Sequence, residues 1–412
     1  MVVLGFVGAV FLAHLYLWQR MVRSTTRPGR LRKGLSWGLV GLVLLVVATF
    51  VGLRLEMFQW LAWPGYLWVA VMFYLVIFLI LLEIPRLVAW FALVRGRGVV
   101  SSPSEVVRPV TVPAGPVSVD VVAPPVEAPP AGIDAMSRRL FLGRATAAVA
   151  GVSALGTVGY GMSAALGDPV IEPVKVTLPG LDSRLSGLRF AVVSDIHLGP
   201  LTGKGHTERI VRMVNGLRAD VVAIVGDLVD GSVAELGALA RPLRSLESRY
   251  GAYFVTGNHE YYTRNGPAEW IEELDRLGVR SLRNERVEIR HQGGVLDLAG
   301  VNDLNGATAG DAPDFDKALG GRDTSRSTVL LAHQPVQVEQ AARYGVDLQL
   351  SGHTHGGQMM PFNLVVPFQQ PVVSGLATVD GVQVYVTRGA GFWGPPVRVG
   401  APPEITLLEL RS

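Results

Sequence analysis

Hydrophobic positions follow two different patterns along the chain. Over the first 82 residues they form three uncharged runs, residues 2–18, 35–53 and 57–82, the last interrupted only by Pro64 and Gly65. None of the three has a polar face. A helix that is apolar all round lies in a large core or in a bilayer, and a membrane span needs about 20 apolar residues. Three such runs in close succession predict three membrane helices, the first at the short limit. A fourth run, residues 145–167, holds 12 Gly or Ala among its 23 positions. It is only mildly hydrophobic, and its small residues suit a helix packed closely against its neighbours.

From about Ile171 the period changes. Short apolar runs end in polar clusters: LRFAVVSDIH, VVAIVGDLVD, AYFVTGNHE, STVLLAHQP and LQLSGHTH. Between them lie helical patterns. In ERIVRMVNGL, residues Ile210, Met213, Val214 and Leu217 share one face, and AEWIEELDRLG and VEQAARYG read similarly. Strands alternating with helices predict an α/β domain, and roughly 240 residues suffice for a substantial core. Strands expected at residues 382–387 and 405–410 have little helix between them, so part of the sheet is expected to be mixed or antiparallel.

Charge adds an orientation. Arg20, Arg23, Arg27, Arg30, Arg32 and Lys33 crowd the first loop, which holds no acid. Arg95, Arg97, Arg108, Arg138, Arg139 and Arg144 precede the fourth run. Positively charged loops stay cytoplasmic, so the N-terminus and everything after Gly167 are expected outside the cytoplasm. Residues 99–132 are rich in proline, without helical periodicity, and read as an extended linker. SRRLFLG, Ser137 to Gly143, resembles a twin-arginine export signal, and it stands directly before the fourth run. The expected organisation is three membrane helices over 1–94, a proline-rich cytoplasmic linker over 95–136, the signal and a fourth helix over 137–167, and a catalytic domain over 168–412. The chain has no cysteine, which excludes disulfides, thiolate metal sites and a cysteine nucleophile. No nucleic-acid-binding module is evident.

The polar clusters all follow apolar strands, at the ends where open α/β sheets build ligand sites. They contain Asp195 and His197, then Asp227 and Asp230, then Asn258, His259 and Glu260, then His333, then His353 and His355. Five of the eight histidines of the chain sit in these places. Imidazole and carboxylate without sulfur suit Mn, Fe or Zn, and the donors are too many for one ion. Asp195 and His197 are two apart at a strand end, so their side chains share a direction. The glycines around His353 and His355 imply an irregular loop that lets the two imidazoles diverge. Asp230 has two readings: it positions a ligand, or it caps a helix starting near Ser232, the latter slightly favoured.

In order, D-x-H, G-D-x-x-D, G-N-H-[DE], a lone His and G-H-x-H resemble the calcineurin-like metallophosphoesterase family, over about residues 187–410. The resemblance implies a four-layer sandwich of two mixed β-sheets flanked by helices, here preceded by about four transmembrane helices. It implies two divalent metal ions, one on Asp195, His197, Asp227 and His355, the other on Asp227, Asn258, His333 and His353. Asp227 would bridge them, and a bridging hydroxide would attack phosphorus in line. His259 would protonate the leaving oxygen, oriented by Glu260 or a nearby acid. NHEYY, LSGHTHGGQMMPF and GFWGPPVRVGAPPEIT are similar to an exported or membrane-bound bacterial subfamily. Its members include phosphodiesterases and pyrophosphatases of nucleotide-linked lipids. Trp393 and Arg398 are then expected beside the substrate, Arg398 on a phosphate oxygen, unless this segment is a proline-rich loop folded over the core.

The expectation is a multi-pass, membrane-anchored phosphoesterase whose catalytic domain is extracytoplasmic and acts on a phosphodiester. Its rivals are a lipid pyrophosphatase at the membrane surface and a non-catalytic metal-binding sensor or scaffold. The expected partners are the lipid bilayer, the phosphate-ester or lipid pyrophosphate substrate, and the twin-arginine translocase.

Overall fold

The computed structural model describes residues 2–55, 57–95, 133–263 and 265–412. The expected linker, from residue 96 to 132, lies outside the described residues, as do the side chains of Ser137, Arg138 and Arg139. The chain divides into two compact units, Met1–Leu44 with Val71–Leu155, and Leu45–Ala70 with Gly156–Ser412.

Helices dominate the N-terminal part: α1 (Val2–Leu17), α2 (Arg30–Arg54), α3 (Ala62–Arg95) and α4 (Ile133–Leu166). Three segments are long and apolar enough to cross a membrane, Arg30–Arg54, Gln59–Pro85 and Leu140–Leu166. The first of the four expected spans is not among them. α1 has 16 residues, about 24 Å at the helical rise, short of a hydrocarbon core of about 30 Å. Within the first unit, Trp18 Nε1 donates to Ser36 Oγ (2.9 Å) and Arg20 pairs with Glu83 (2.9 Å).

The second unit contains two six-stranded sheets. Its strands are β1 (Val170–Thr177), β2 (Arg189–Val193), β3 (Val221–Val225), β4 (Ala252–Val255), β5 (Val279–Ser281), β6 (Glu285–His291), β7 (Gly294–Gly300), β8 (Thr328–Leu331), β9 (Leu348–Ser351), β10 (Gly375–Val379), β11 (Val382–Val386) and β12 (Glu404–Arg411). One sheet runs β1-β12-β2-β3-β4-β5 and the other β10-β11-β9-β8-β7-β6. Both are mixed. β2 to β5 are parallel while β12 runs against β2. β7, β8, β9 and β11 are parallel, with antiparallel β6 and β10 at the edges.

Side-chain alternation along the strands builds the layers. Phe190 and Val192, Val221, Ala223 and Val225, Leu296 and Leu298, and Leu348 and Leu350 face one another in a core between the sheets. Their neighbours Ala191, Val193, Val222 and Ile224 face outward, under α5 (Lys204–Gly216), α6 (Val233–Ala240) and α7 (Ala268–Arg276). On the other side Ala299, Leu330 and Val384 pack under α8 (Phe315–Leu319) and α9 (Val338–Ala341). The expected four-layer sandwich of two mixed sheets is observed. Strands buried on both faces explain the near-continuous apolar runs of the sequence.

Candidate metal centre

The expected donors meet where the C-terminal ends of both sheets converge. Asp195 and His197 follow β2, Asp227 follows β3, and Asn258 and His259 follow β4. His333 follows β8 and His353 and His355 follow β9, so the second sheet contributes only imidazoles. The backbone turns sharply there. Asp195, His197, Asp227, His353 and His355 all have positive φ, between 49° and 71°. Asp and His tolerate this region better than most residues, yet each such residue costs about 1 kcal/mol or more. Glycines give the loops room. A Cβ on Gly257 would lie 2.2 Å from Asp227 Oδ1, and one on Gly352 would lie 2.4 Å from Asp195 Oδ2.

Two clusters result. In the first, His355 Nε2 is 3.0 Å from His197 Nε2 and 3.3 Å from Asp195 Oδ1. In the second, His333 Nε2 is 3.2 Å from Asp227 Oδ2, and His353 Nδ1 is 2.8 Å from Asn258 Oδ1. Asp227 Oδ2 also approaches His197 Nε2 (3.8 Å), which places it between the clusters. The residues fit a cation. His333 spends Nδ1 on the Val225 carbonyl (2.8 Å), so its buried Nε2 carries a lone pair, and that atom has no hydrogen-bond partner. It faces the carboxylate of Asp227, another acceptor. With no cation between them, a proton on His333 Nε2 answers the same demand. Burial by itself would raise Asp227 and lower His333, but their attraction reverses both. The carboxyl is held well below, and the imidazole well above, its ordinary range. Asp195, by contrast, is raised by burial, with His333 opposing and Asp227 adding to the rise. Positive charge between these groups satisfies them all.

Behind the donors stand two carboxylates with different work. Asp230 accepts from His197 Nδ1 (2.8 Å) and from His259 Nδ1 (2.7 Å). It therefore orients one metal donor and the candidate acid together. Burial opposes its ionisation, but the two imidazoles lower its pKa. The cap of α6 is Ser232 instead, with Glu235 reaching back to the Ser232 N–H (3.4 Å). The structure thus decides for the positioning reading of Asp230. Glu260 does not orient His259. Fully buried, it accepts the backbone N–H groups of Asp227, Leu228 and Gly257 at 3.1, 2.8 and 2.6 Å, holding the β3 and β4 loops together. Burial, reinforced by Asp227, pushes its pKa up to about 7.

His259 stacks edge-on to His197 (4.6 Å between centroids) and stands 6.1 Å from the ring of Trp393. Burial lowers its pKa, but Asp227 and Asp230 outweigh this and raise it to about 9. Trp393 is exposed at the mouth of the site, tied by its backbone to Gln358 (2.9 and 2.8 Å). The expectation for Arg398 is overturned. It is 1% exposed. Its guanidinium donates to the carbonyls of His355 (2.7 Å), Arg388 (2.9 Å) and Gly391 (3.0 Å) and to His355 Nδ1 (3.0 Å). No donor remains for a substrate.

A cleft of about 860 Å³ opens from this centre. His197, Asp230, His259, Tyr262 and Trp393 line one side, and Phe50, Leu53, Arg54, Leu55, Gln59 and Tyr66 the other. The hairpin between α2 and α3, read from the sequence only as a short loop, is therefore a wall of the site. Gln59 fixes it by donating to Glu235 (2.8 Å).

Comparison with known proteins agrees with this geometry. The family model described as calcineurin-like phosphoesterase matches residues 188–357, a stretch that holds every donor named above. A Helicobacter pylori protein named as a metallophosphoesterase is 41% identical over 262 residues, covering 62% of this chain and 68% of that protein. The chain belongs to the calcineurin-like metallophosphoesterase family. A metallophosphoesterase of Aquifex aeolicus is 34% identical over 226 residues, 53% of this chain and 83% of its own. The Danio rerio transmembrane protein with metallophosphoesterase domain is 40% identical over 262 residues. That match covers 61% of this chain and 60% of the zebrafish protein, so the chain spans about three fifths of that relative. The loop carrying Trp393 and Arg398 lies beyond the family match.

Proposed function

We propose that this metallophosphoesterase is a membrane-anchored, two-metal enzyme that hydrolyses a phosphodiester outside the cytoplasm. The observation that carries this reading is the convergence of two groups of side chains, Asp195 with His197 and His355 and Asp227 with His333 and His353, whose ligand atoms approach to 3.0–3.3 Å. Asp195, His197, Asp227 and His355 would hold one divalent ion, and Asp227, Asn258, His333 and His353 the other. When bound, such ions supply positive charge to phosphoryl oxygens and lower the pKa of a bound water. The protein's own residues do the rest. His259, protonated at neutral pH, faces the cleft and gives its proton to the leaving oxygen. Asp230 holds that imidazole by Nδ1, leaving Nε2–H for the substrate. Trp393 offers a face for the leaving group. The cation lost with Arg398 is supplied by Arg54, the one Lys or Arg lining the cleft among the described residues.

A second reading, hydrolysis of a lipid-linked pyrophosphate, is favoured by the apolar part of the cleft. Phe50 and Leu53 belong to the candidate span Arg30–Arg54, so an acyl chain has a path to the site. In either reading α1, prolonged by the helical stretch Trp18–Arg23, joins the three longer helices as a fourth span. The arginine-rich loops stay cytoplasmic, and Arg138 and Arg139 address the folded domain to the twin-arginine translocase. The test is turnover by the purified full chain, loaded with Mn, Fe or Zn, against bis(p-nitrophenyl) phosphate and a nucleotide-linked lipid. Absence of hydrolysis of both by metal-loaded protein sinks the enzymatic reading and leaves a sensor or scaffold.

A further inference from the structure

The segment after the GHTHGG loop is unusual for the surface of a folded unit. From Met359 to Val379 it contains no charged residue. Within nine positions it exposes Met360, Phe362, Leu364, Val365 and Phe368, with Leu364 and Phe368 exposed by 69% and 86%. Single exposed apolar residues are ordinary, but a contiguous group of this kind marks an interaction surface. The segment is well built despite its exposure. Two short 3₁₀ turns, Phe362–Leu364 and Val366–Phe368, shape it, and the Gln370 side chain accepts the N–H of Val336 (3.0 Å).

Its position names the partner. Met359 bridges Val399, and the Met360 N–H donates to the Val399 carbonyl (3.0 Å). One residue earlier, the Arg398 N–H donates to the carbonyl of Gly161 (2.9 Å). A Cβ on Gly161 would lie 2.5 Å from the Val397 side chain, so α4 is pressed against this segment. Gly161 is five residues before the end of the candidate span Leu140–Leu166, about 8 Å along the helix. That distance is comparable to the depth to which apolar faces sink at a membrane interface, about 5–10 Å. The uncharged segment is thus fastened, through two backbone hydrogen bonds, to the end of a membrane-crossing helix.

We propose that residues 360–368 form a loop that dips into the bilayer beside the end of α4, with Leu364 and Phe368 among the acyl chains. The occupant of this surface is the lipid in which the chain is already anchored. Aromatic and large aliphatic side chains without charge are the composition such a surface requires. The loop also fixes the height of the metal centre above the membrane, because Gln358 next to it ties the GHTHGG loop to Trp393.

The chain has no cysteine, so a single introduced thiol labels without background. Leu364→Cys, Phe368→Cys and, as an exposed control, Ser325→Cys are made in the full chain. Each is labelled with an environment-sensitive fluorophore and reconstituted into phosphatidylcholine vesicles. Two quenchers are compared, iodide in the water and a nitroxide near the headgroup end of the acyl chains. The proposal expects the nitroxide to remove most of the emission at Leu364 and Phe368 and iodide to remove little, with the reverse at Ser325. Iodide quenching at the loop equal to that at Ser325 overturns it. Protection from both quenchers also overturns it, and points to a protein surface or a second copy over the loop. Melting curves matching the parent guarantee that each variant is folded.

Discussion

The two donor clusters are built from the same residue types and braced in opposite ways. In the Asp195, His197 and His355 cluster the far nitrogen of each imidazole meets a charged group, Asp230 behind His197 and Arg398 behind His355. In the Asp227, His333 and His353 cluster the bracing is neutral. The Val225 carbonyl holds His333 and the His259 N–H holds Asp227 (2.9 Å), while His353 meets a fellow candidate ligand, Asn258. A carboxylate behind an imidazole raises its basicity as a ligand, whereas a guanidinium competes for its lone pairs. The clusters are therefore expected to differ in affinity and in their response to substitution. Asp227, 3.8 Å from His197 Nε2, is the acid proposed to join them.

The sharpest break comes at Asp227. Asp227→Asn should empty both clusters and abolish turnover of bis(p-nitrophenyl) phosphate, with metal content measured on the same samples. If only one equivalent of metal is lost, or activity persists, Asp227 does not join the clusters and the comparison falls.

The next effect separates proton transfer from metal binding. His259→Ala should keep its metals and lose about 10²–10⁴-fold in kcat, the range of a general acid. The loss should be smallest for esters with good leaving groups. With the pKa of His259 raised to about 9, the acid form dominates below that pH and disappears above it. kcat/KM should therefore fall as pH rises through about 9, and the variant should lack this alkaline limb. A variant that retains the limb assigns it to another group.

Asp230→Asn tests the charged bracing directly. An orienting partner of a metal ligand is worth about 10–100-fold in affinity or activity. Metal should be lost first from the Asp195 cluster, and the alkaline limb should move to lower pH, because His259 loses a negative neighbour that raises its pKa. Equal loss from both clusters, with the limb unmoved, would mean that the charge behind His197 does not distinguish them.

Much of this was legible in the sequence because strand burial leaves a period. LRFAVV and VVAIV alternate their faces between two cores, and each donor sits where such a run stops. Asp230 was harder to read, because Asp227-x-x-Asp230 before Ser232 fits a helix cap slightly better than a carboxylate that positions a ligand. Only the fold brings His197 and His259 to the same oxygen. Arg398 was misread for a different reason. Arg among Gly and Pro reads as a surface loop, while its actual partners are backbone carbonyls of Arg388, Gly391 and His355, which carry no residue-type signal. The α2–α3 hairpin left no trace either, since apolar residues of a span and of a cleft wall look alike in one dimension. The five donors at positive φ were legible as residues and illegible as conformations.

The smallest effect on catalysis concerns the two arginines, and it separates bracing from binding. Arg398 lies fully inside the loop that carries His355, with every donor on a protein acceptor. Arg398→Ala strips several buried carbonyls of their partner, at a cost on the order of 3 kcal/mol. It should lower the melting temperature and loosen metal in the Asp195 cluster while leaving KM of the metal-saturated protein unchanged. Arg54 is exposed and, among the described residues, donates to the Tyr262 carbonyl at 3.5 Å. Arg54→Ala should leave melting unchanged and raise KM by about tenfold, the worth of one hydrogen bond to a charged oxygen. Arg54→Lys should recover part of that loss, since a point charge still attracts phosphate but cannot present a planar fork. If KM instead rises in Arg398→Ala and not in Arg54→Ala, the hairpin is not part of the substrate wall. The buried guanidinium would then have to reach the cleft by a rearrangement of its loop.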